Sequence, residues 1–253
     1  MDFDTLLSII SFAVILSIGI FVQAAAGFAA GLLIVPALLW CGYTIPDAQC
    51  ALLVATIPQN VWGVWSLRES IEPSQVAWPG LGRILFLPVG IVVLKLMDFV
   101  DEATVRQIVG LIVLSVTLAI IYIRPKPQPR LHPIWAFIAF PLSGFFQGLV
   151  GMGGPAMVFW VQAHDWETQK SRGFLFTMYL VSILPALGFL YMAFGNQVVE
   201  SGALALMMVP LLWGVTVFGL KFGTKMGRER LRRVTLALLL VIGLAGVLGP
   251  MWS

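Results

Sequence analysis

Runs of about twenty residues without a charge recur along this chain, and a helix of that length crosses a hydrocarbon layer roughly 30 Å thick. Ala48–Leu67, Gly173–Phe194, Ser201–Leu220 and Val234–Ser253 are clear cases. Gln107–Ile123 is a shorter fifth, and Gly80–Met97 a sixth that carries Arg83 and Lys95. Only 11% of the 253 residues are charged, against 59% apolar, where a soluble domain carries roughly a quarter charged. So few charges cannot cover a water-facing surface, and the expected class is an all-α polytopic membrane protein. The acidic start, MDFDTLL, lacks a basic n-region and reads as the beginning of a retained span.

Two uncharged stretches are too long for one crossing: Thr5–Pro46, with 42 residues, and Leu131–Ala163, with 33. Each is interrupted by a small-residue break, and the breaks echo one another. Phe21, Gln23 and Gly27 of the first recur as Phe145, Gln147 and Gly151 of the second, each 124 residues on. The pieces beyond the breaks, Phe28–Cys41 and Pro155–Ala163, have the length of re-entrant segments. Each stretch therefore reads as a helical hairpin with a longer arm, a bend and a short arm.

Positive charge tests this reading, because cytoplasmic loops accumulate Lys and Arg. If each hairpin returns to its side of entry and three spans follow, 13 of the 15 basic residues fall on one side, leaving only Lys95 and Arg106 on the other. If each long stretch crosses once, the best split is 10 to 5. The first arrangement makes three net crossings per half, so the second half lies upside down: two inverted repeats, each a broken hairpin plus three transmembrane helices. The acidic segment 98–102 and the basic segment 221–233 then occupy equivalent loops. The expected division is a first repeat at 1–123, a cytoplasmic Pro-rich linker at 124–132 and a second repeat at 133–253, with both termini outside.

All twelve carboxylates are expected in termini or loops. Their absence from the spans disfavours proton- or sodium-coupled transport and leaves anions as the natural cargo. A helix N-terminus offers unpaired N–H groups and about half a positive charge, so two short arms starting near the midplane would bind an anion without a buried cation. On this basis Gln23, Gly27, Gly31, Gln147, Gly151, Gly153, Gly154 and Pro155 are candidate substrate-binding residues. The glycines equally suit close helix packing, and the two glutamines equally suit bracing the bends. Asn60, beside Pro58, either satisfies the carbonyl that the proline frees or reaches the central site. Arg83 is expected near a span end, snorkelling to the interface like Lys95 or drawing anions to a cytoplasmic mouth.

Neither His132 nor His164 belongs to a zinc-protease pattern, and no GxSxG motif occurs. Cys41 and Cys50 lack redox spacing. No metal, cofactor or nucleic-acid partner is expected. A membrane scaffold and, with Ser143 and His164, an intramembrane enzyme stay open as alternatives.

GMGGP at 151–155 and the looser GFAAGLLIVP at 27–36 resemble the paired motifs of the TauE/SafE family of bacterial membrane permeases, also called the sulfite-exporter or DUF81 type. In layout the resemblance covers essentially the whole chain. It implies a non-enzymatic carrier in the cytoplasmic (inner) membrane that moves sulfite, sulfonates or related small anions.

Overall fold

The structure is a computed structural model that describes residues 3–26, 29–97, 99–123, 125–226 and 228–249. Gly27 lies outside the described residues, as do Asp98 and Arg124 of the expected loops. The described residues form eleven α-helices: α1 Phe3–Ala26, α2 Ala30–Trp40, α3 Ile45–Leu67, α4 Pro73–Leu96, α5 Glu102–Tyr122, α6 Ile134–Val150, α7 Gly154–Gln162, α8 Thr168–Phe194, α9 Gln197–Met207, α10 Val209–Met226 and α11 Arg228–Leu248. Five helices are long and apolar enough to cross a membrane, or six if α9 and α10 form one bent span. Large apolar side chains such as Leu85, Phe137, Leu184 and Val241 point outward, which suits a lipid-facing surface.

Local chemistry sets the boundaries. Thr44 caps α3 and Asp101 caps α5, each accepting from the backbone N–H three residues on. Pro73 opens α4 and Pro155 opens α7, where a missing N–H costs nothing. Gly151 ends α6 in the left-handed region at φ 70°, a conformation that penalises any side chain.

Several helices start up to two turns before the uncharged runs, and two differences from the sequence reading matter most. The stretch Ser201–Leu220 is not one straight span: α9 and α10 meet at a 59° bend. Pro210 sits in the first turn after that bend, and it cannot donate to the preceding turn. The second difference is at α4, which begins at Pro73 rather than Gly80. Arg83 thereby lies at mid-helix, not one turn from an end.

Both expected hairpins fold back on themselves. Gly19 of α1 lies directly against Ile34 of α2, and Phe140 of α6 stacks on Trp160 of α7 with ring centroids 5.0 Å apart. A helix continuing through either break would separate these pairs by about 1.5 Å per intervening residue, far beyond contact.

Contacts also fix the helix directions. Arg83 meets Gly144 and Leu87 meets Gly148, so α4 and α6 are parallel. One groove is lined by residues 17–21 of α1 and 211–218 of α10, while Gly219 meets Ala24 beyond it; these helices are parallel too. By contrast α3 and α8 are antiparallel, with Gly63 on Phe176 and Leu67 on Gly173. So are α5 and α11, which join through Gly110 with Gly246 and Leu114 with Gly243. These small-residue contacts bring backbones together as membrane helices prefer.

Candidate functional site

The first turn of α2 meets the second bend. A Cβ on Gly31, in the first turn of α2, would lie 2.6 Å from the carbonyl oxygen of Gly151. Only glycine allows this approach. From α3, Gln49 donates through Nε2 to the Gly148 carbonyl at 3.2 Å and ties the second bend to the first half of the chain.

Around this junction lies a cavity with about 40 Å³ open to the centres of water-sized molecules. Its lining includes Gln23, Gly31, Asn60, Arg83, Gln147, Gly151, Gly154 and Pro155. The sequence reading named all eight, and the fold gathers them from six helices and a bend. Gly153 is not among the lining residues; its carbonyl accepts from Arg83 and from Ser143. The N-termini of both short arms face the cavity, represented by Ala30 and Gly31 on one side and Gly154 and Pro155 on the other. Their first-turn N–H groups have no acceptor within the helix.

Arg83 departs most from expectation. It does not snorkel: its side chain is 1% exposed. The α4 and α6 backbones come close where Gly144 meets Arg83, and the side chain reaches partners on α6, α7 and α8. Nε donates to Ser182 Oγ at 3.0 Å, and Nη2 donates to Gln147 Oε1 at 3.1 Å. Nη1 donates to Ser143 Oγ, and reaches the Gly153 carbonyl and Met157 Sδ, each at 3.4 Å. The guanidinium also lies 5.7 Å from the centre of the Tyr179 ring. All these partners are neutral. The two ion pairs among the described residues, Arg106–Glu102 and Lys170–Glu72, are elsewhere. A fully buried cation without a counter-charge is costly by several kcal/mol, which makes Arg83 the energetic centre of the site.

Asn60 is 1% exposed and lines the cavity. Among the described residues, neither its amide nitrogen nor its oxygen has a hydrogen-bond partner. Of its two expected roles, the fold places it toward the centre, and α3 continues as helix through Pro58. Gln147 is both brace and wall: its backbone carbonyl accepts from the Gly151 N–H while its side chain holds Arg83.

Tyr179 and Ser182 were missed by the sequence reading, and Ser143 entered it only as a possible nucleophile. Tyr179 and Ser182 lie three residues apart on α8, a spacing that puts them on one helix face. Ser143 is engaged with Arg83 and Gly153, whereas His164 bonds the Trp160 carbonyl through Nδ1 at 2.9 Å and stacks on Trp166. Lys95, expected to snorkel, donates to the Ala193 carbonyl near the end of α8.

No curated protein and no solved structure matches the chain. The family model described as sulfite exporter TauE/SafE matches residues 11–246, a span that takes in both hairpins and every cavity-lining residue. The chain belongs to the sulfite exporter TauE/SafE family of membrane transporters.

Proposed function

We propose that the protein exports a small sulfur-containing oxyanion such as sulfite or a sulfonate, bound at the junction of the two hairpins. One observation carries this reading: Arg83, completely buried and bonded only to neutral groups, borders a cavity into which two helix N-termini open. An anion there would supply the missing counter-charge and accept from the first-turn N–H groups. Asn60 and the two glutamines would donate further hydrogen bonds without adding charge.

The carrier consists of two inverted halves, joined at 124–132, with both termini outside. Helix directions support this. A two-fold axis in the membrane plane makes the self-paired helices α3 with α8 and α5 with α11 antiparallel, whereas an axis along the membrane normal would make them parallel. The same exchange relates the parallel pair α1 with α10 to the parallel pair α6 with α4. Alternating access follows from one half rocking against the other around the junction.

With the cell interior negative, each charge of an exported anion gains about 2.3 kcal/mol per 100 mV. Full-length protein in proteoliposomes should therefore carry sulfite-dependent current along the imposed potential. Transport that is electroneutral and driven by pH would overturn the uncoupled scheme, and absence of any anion flux would overturn the function.

A further inference from the structure

We infer that the site selects a compact, singly charged oxyanion over a doubly charged one of equal size. This rests on the anion-site reading above and adds the charge and size of the cargo.

The lining of the cavity contains one cation, Arg83. A guanidinium has five N–H donors. Ser182 takes the one on Nε, Ser143 and the Gly153 carbonyl engage the two on Nη1, and Gln147 takes one on Nη2. A single Nη2 N–H is left for a solute. No other full charge faces the cavity: its lining adds the amides of Asn60, Gln23 and Gln147, the phenol of Tyr179, and the first turns of α2 and α7, each of which contributes about half a positive charge. Thr56 and Ser182 have committed their hydroxyl protons to backbone carbonyls.

The cost of taking an ion out of water grows as the square of its charge, whereas its attraction to one fixed cation grows only linearly. A second negative charge thus multiplies the penalty more than the reward. Neutral amides can solvate the excess only in part. Size points the same way: about 40 Å³ is open to the centres of water-sized molecules, which suits a solute of a few heavy atoms.

Methanesulfonate and sulfate separate charge from shape, since both are tetrahedral and have the same number of heavy atoms. Thermal stabilisation of the purified full-length chain, titrated with each at constant pH and ionic strength, reads the preference. We expect methanesulfonate to bind at least tenfold more tightly than sulfate, and Arg83→Gln to abolish its effect. Asn60→Lys, which adds a second cation to the cavity wall, should move the preference toward sulfate. Sulfate binding as well as or better than methanesulfonate in the unaltered protein would overturn the charge selection while leaving the anion site standing. If neither anion stabilises the protein, both the selection and the anion site fall.

Discussion

The two hairpins share a sequence echo but not a chemistry. At the second, Gln147 holds Arg83, and Ser143 and Ser182 hold it in turn. At the first, Gln23 is equally buried but has no hydrogen-bond partner among the described residues. The packing shows what stands where Arg83 would be. Gly219 meets Phe21 and Ala24 of α1 as Gly90 meets Phe145 and Gly148 of α6. With Gly219 matching Gly90, the residue seven positions earlier on α10 is Leu212, fully buried, and it matches Arg83. On the proposed inverted halves, a cation on α4 therefore has an aliphatic side chain on α10 as its counterpart. The Gln147 amide is engaged with Arg83, and the Gln23 amide is free among the described residues. A carrier of small anions gains from this inequality, because a second buried cation would hold its cargo too tightly for release.

The largest expected effect comes from erasing the difference. Arg83→Leu puts at this position the residue type of Leu212, its counterpart on the proposed inverted halves. Removing a buried charge partner typically costs about 2–5 kcal/mol of binding, so anion affinity should fall by roughly thirtyfold or more and flux should collapse with it. Stability should change little, because the relief of an uncompensated buried charge is offset by leaving Gln147 Oε1 without its donor. Ser143 and Ser182 keep their carbonyl partners. Flux and melting temperature, measured together, check both halves of the claim, and undiminished flux would show that Arg83 is structural. Arg83→Lys should not rescue, since one ammonium cannot reach acceptors on α6, α7 and α8 at once.

Next comes the contact that joins the bends. Gly31→Ala drives a Cβ into the Gly151 carbonyl at 2.6 Å, and Gly151→Ala forces a side chain at φ 70° with Gln49 Cγ only 3.0 Å away. Each should destabilise by about 1–3 kcal/mol through overpacking, with a left-handed penalty added at Gly151. Loss of flux should exceed what the lower folded fraction explains. Equal flux per folded molecule would mean that the junction packs the protein without shaping its site.

The two glutamines sharpen the comparison further. Gln147→Leu removes the acceptor of Arg83 Nη2 and leaves a buried donor unpaired, at a cost of about 1–3 kcal/mol. Gln23→Leu breaks no bond and should leave the melting temperature within a degree or two, while still lowering affinity if its amide contacts the anion. Equal destabilisation by both would show that Gln23 has a structural partner and that the bends are more alike than their hydrogen bonds indicate.

The sequence made the frame legible because the frame is written in local signals. Uncharged runs, two glycine-rich breaks at constant separation and the basic residues between spans identified the helices and hairpins and named the cavity wall. What it hid was depth and direction. Arg83 read as a near-terminal residue because hydropathy starts the span at Gly80, whereas the helix starts at Pro73, whose position before polar Ser74 and Gln75 gives no apolar cue. Which way Arg83 points is fixed by partners such as Gln147 and Ser182, far away along the chain. Tyr179 and Ser182 were illegible for another reason: a lone hydroxyl in a span normally satisfies its own backbone, as Ser182 in fact does while also accepting from Arg83. The bend after α9 had a signal in Pro210 that the apolar run around it concealed.

The smallest effect probes how the first bend manages without the glycines of the second. Ala29 adopts φ 90° and ψ −2°, a left-handed conformation that costs an L-residue roughly 1–2 kcal/mol. It is held there by being nine-tenths buried and by its carbonyl, which accepts from the Leu33 N–H at 3.1 Å. Ala29→Gly removes that strain, but the unfolded chain then loses about 0.5–1 kcal/mol more conformational freedom on folding. The net gain is about 0–1.5 kcal/mol, opposite in sign to Gly151→Ala. Ala29→Val, with its branched Cβ in the same conformation, should destabilise instead. If the melting temperatures do not rank glycine above alanine above valine, the first bend does not rest in the left-handed region.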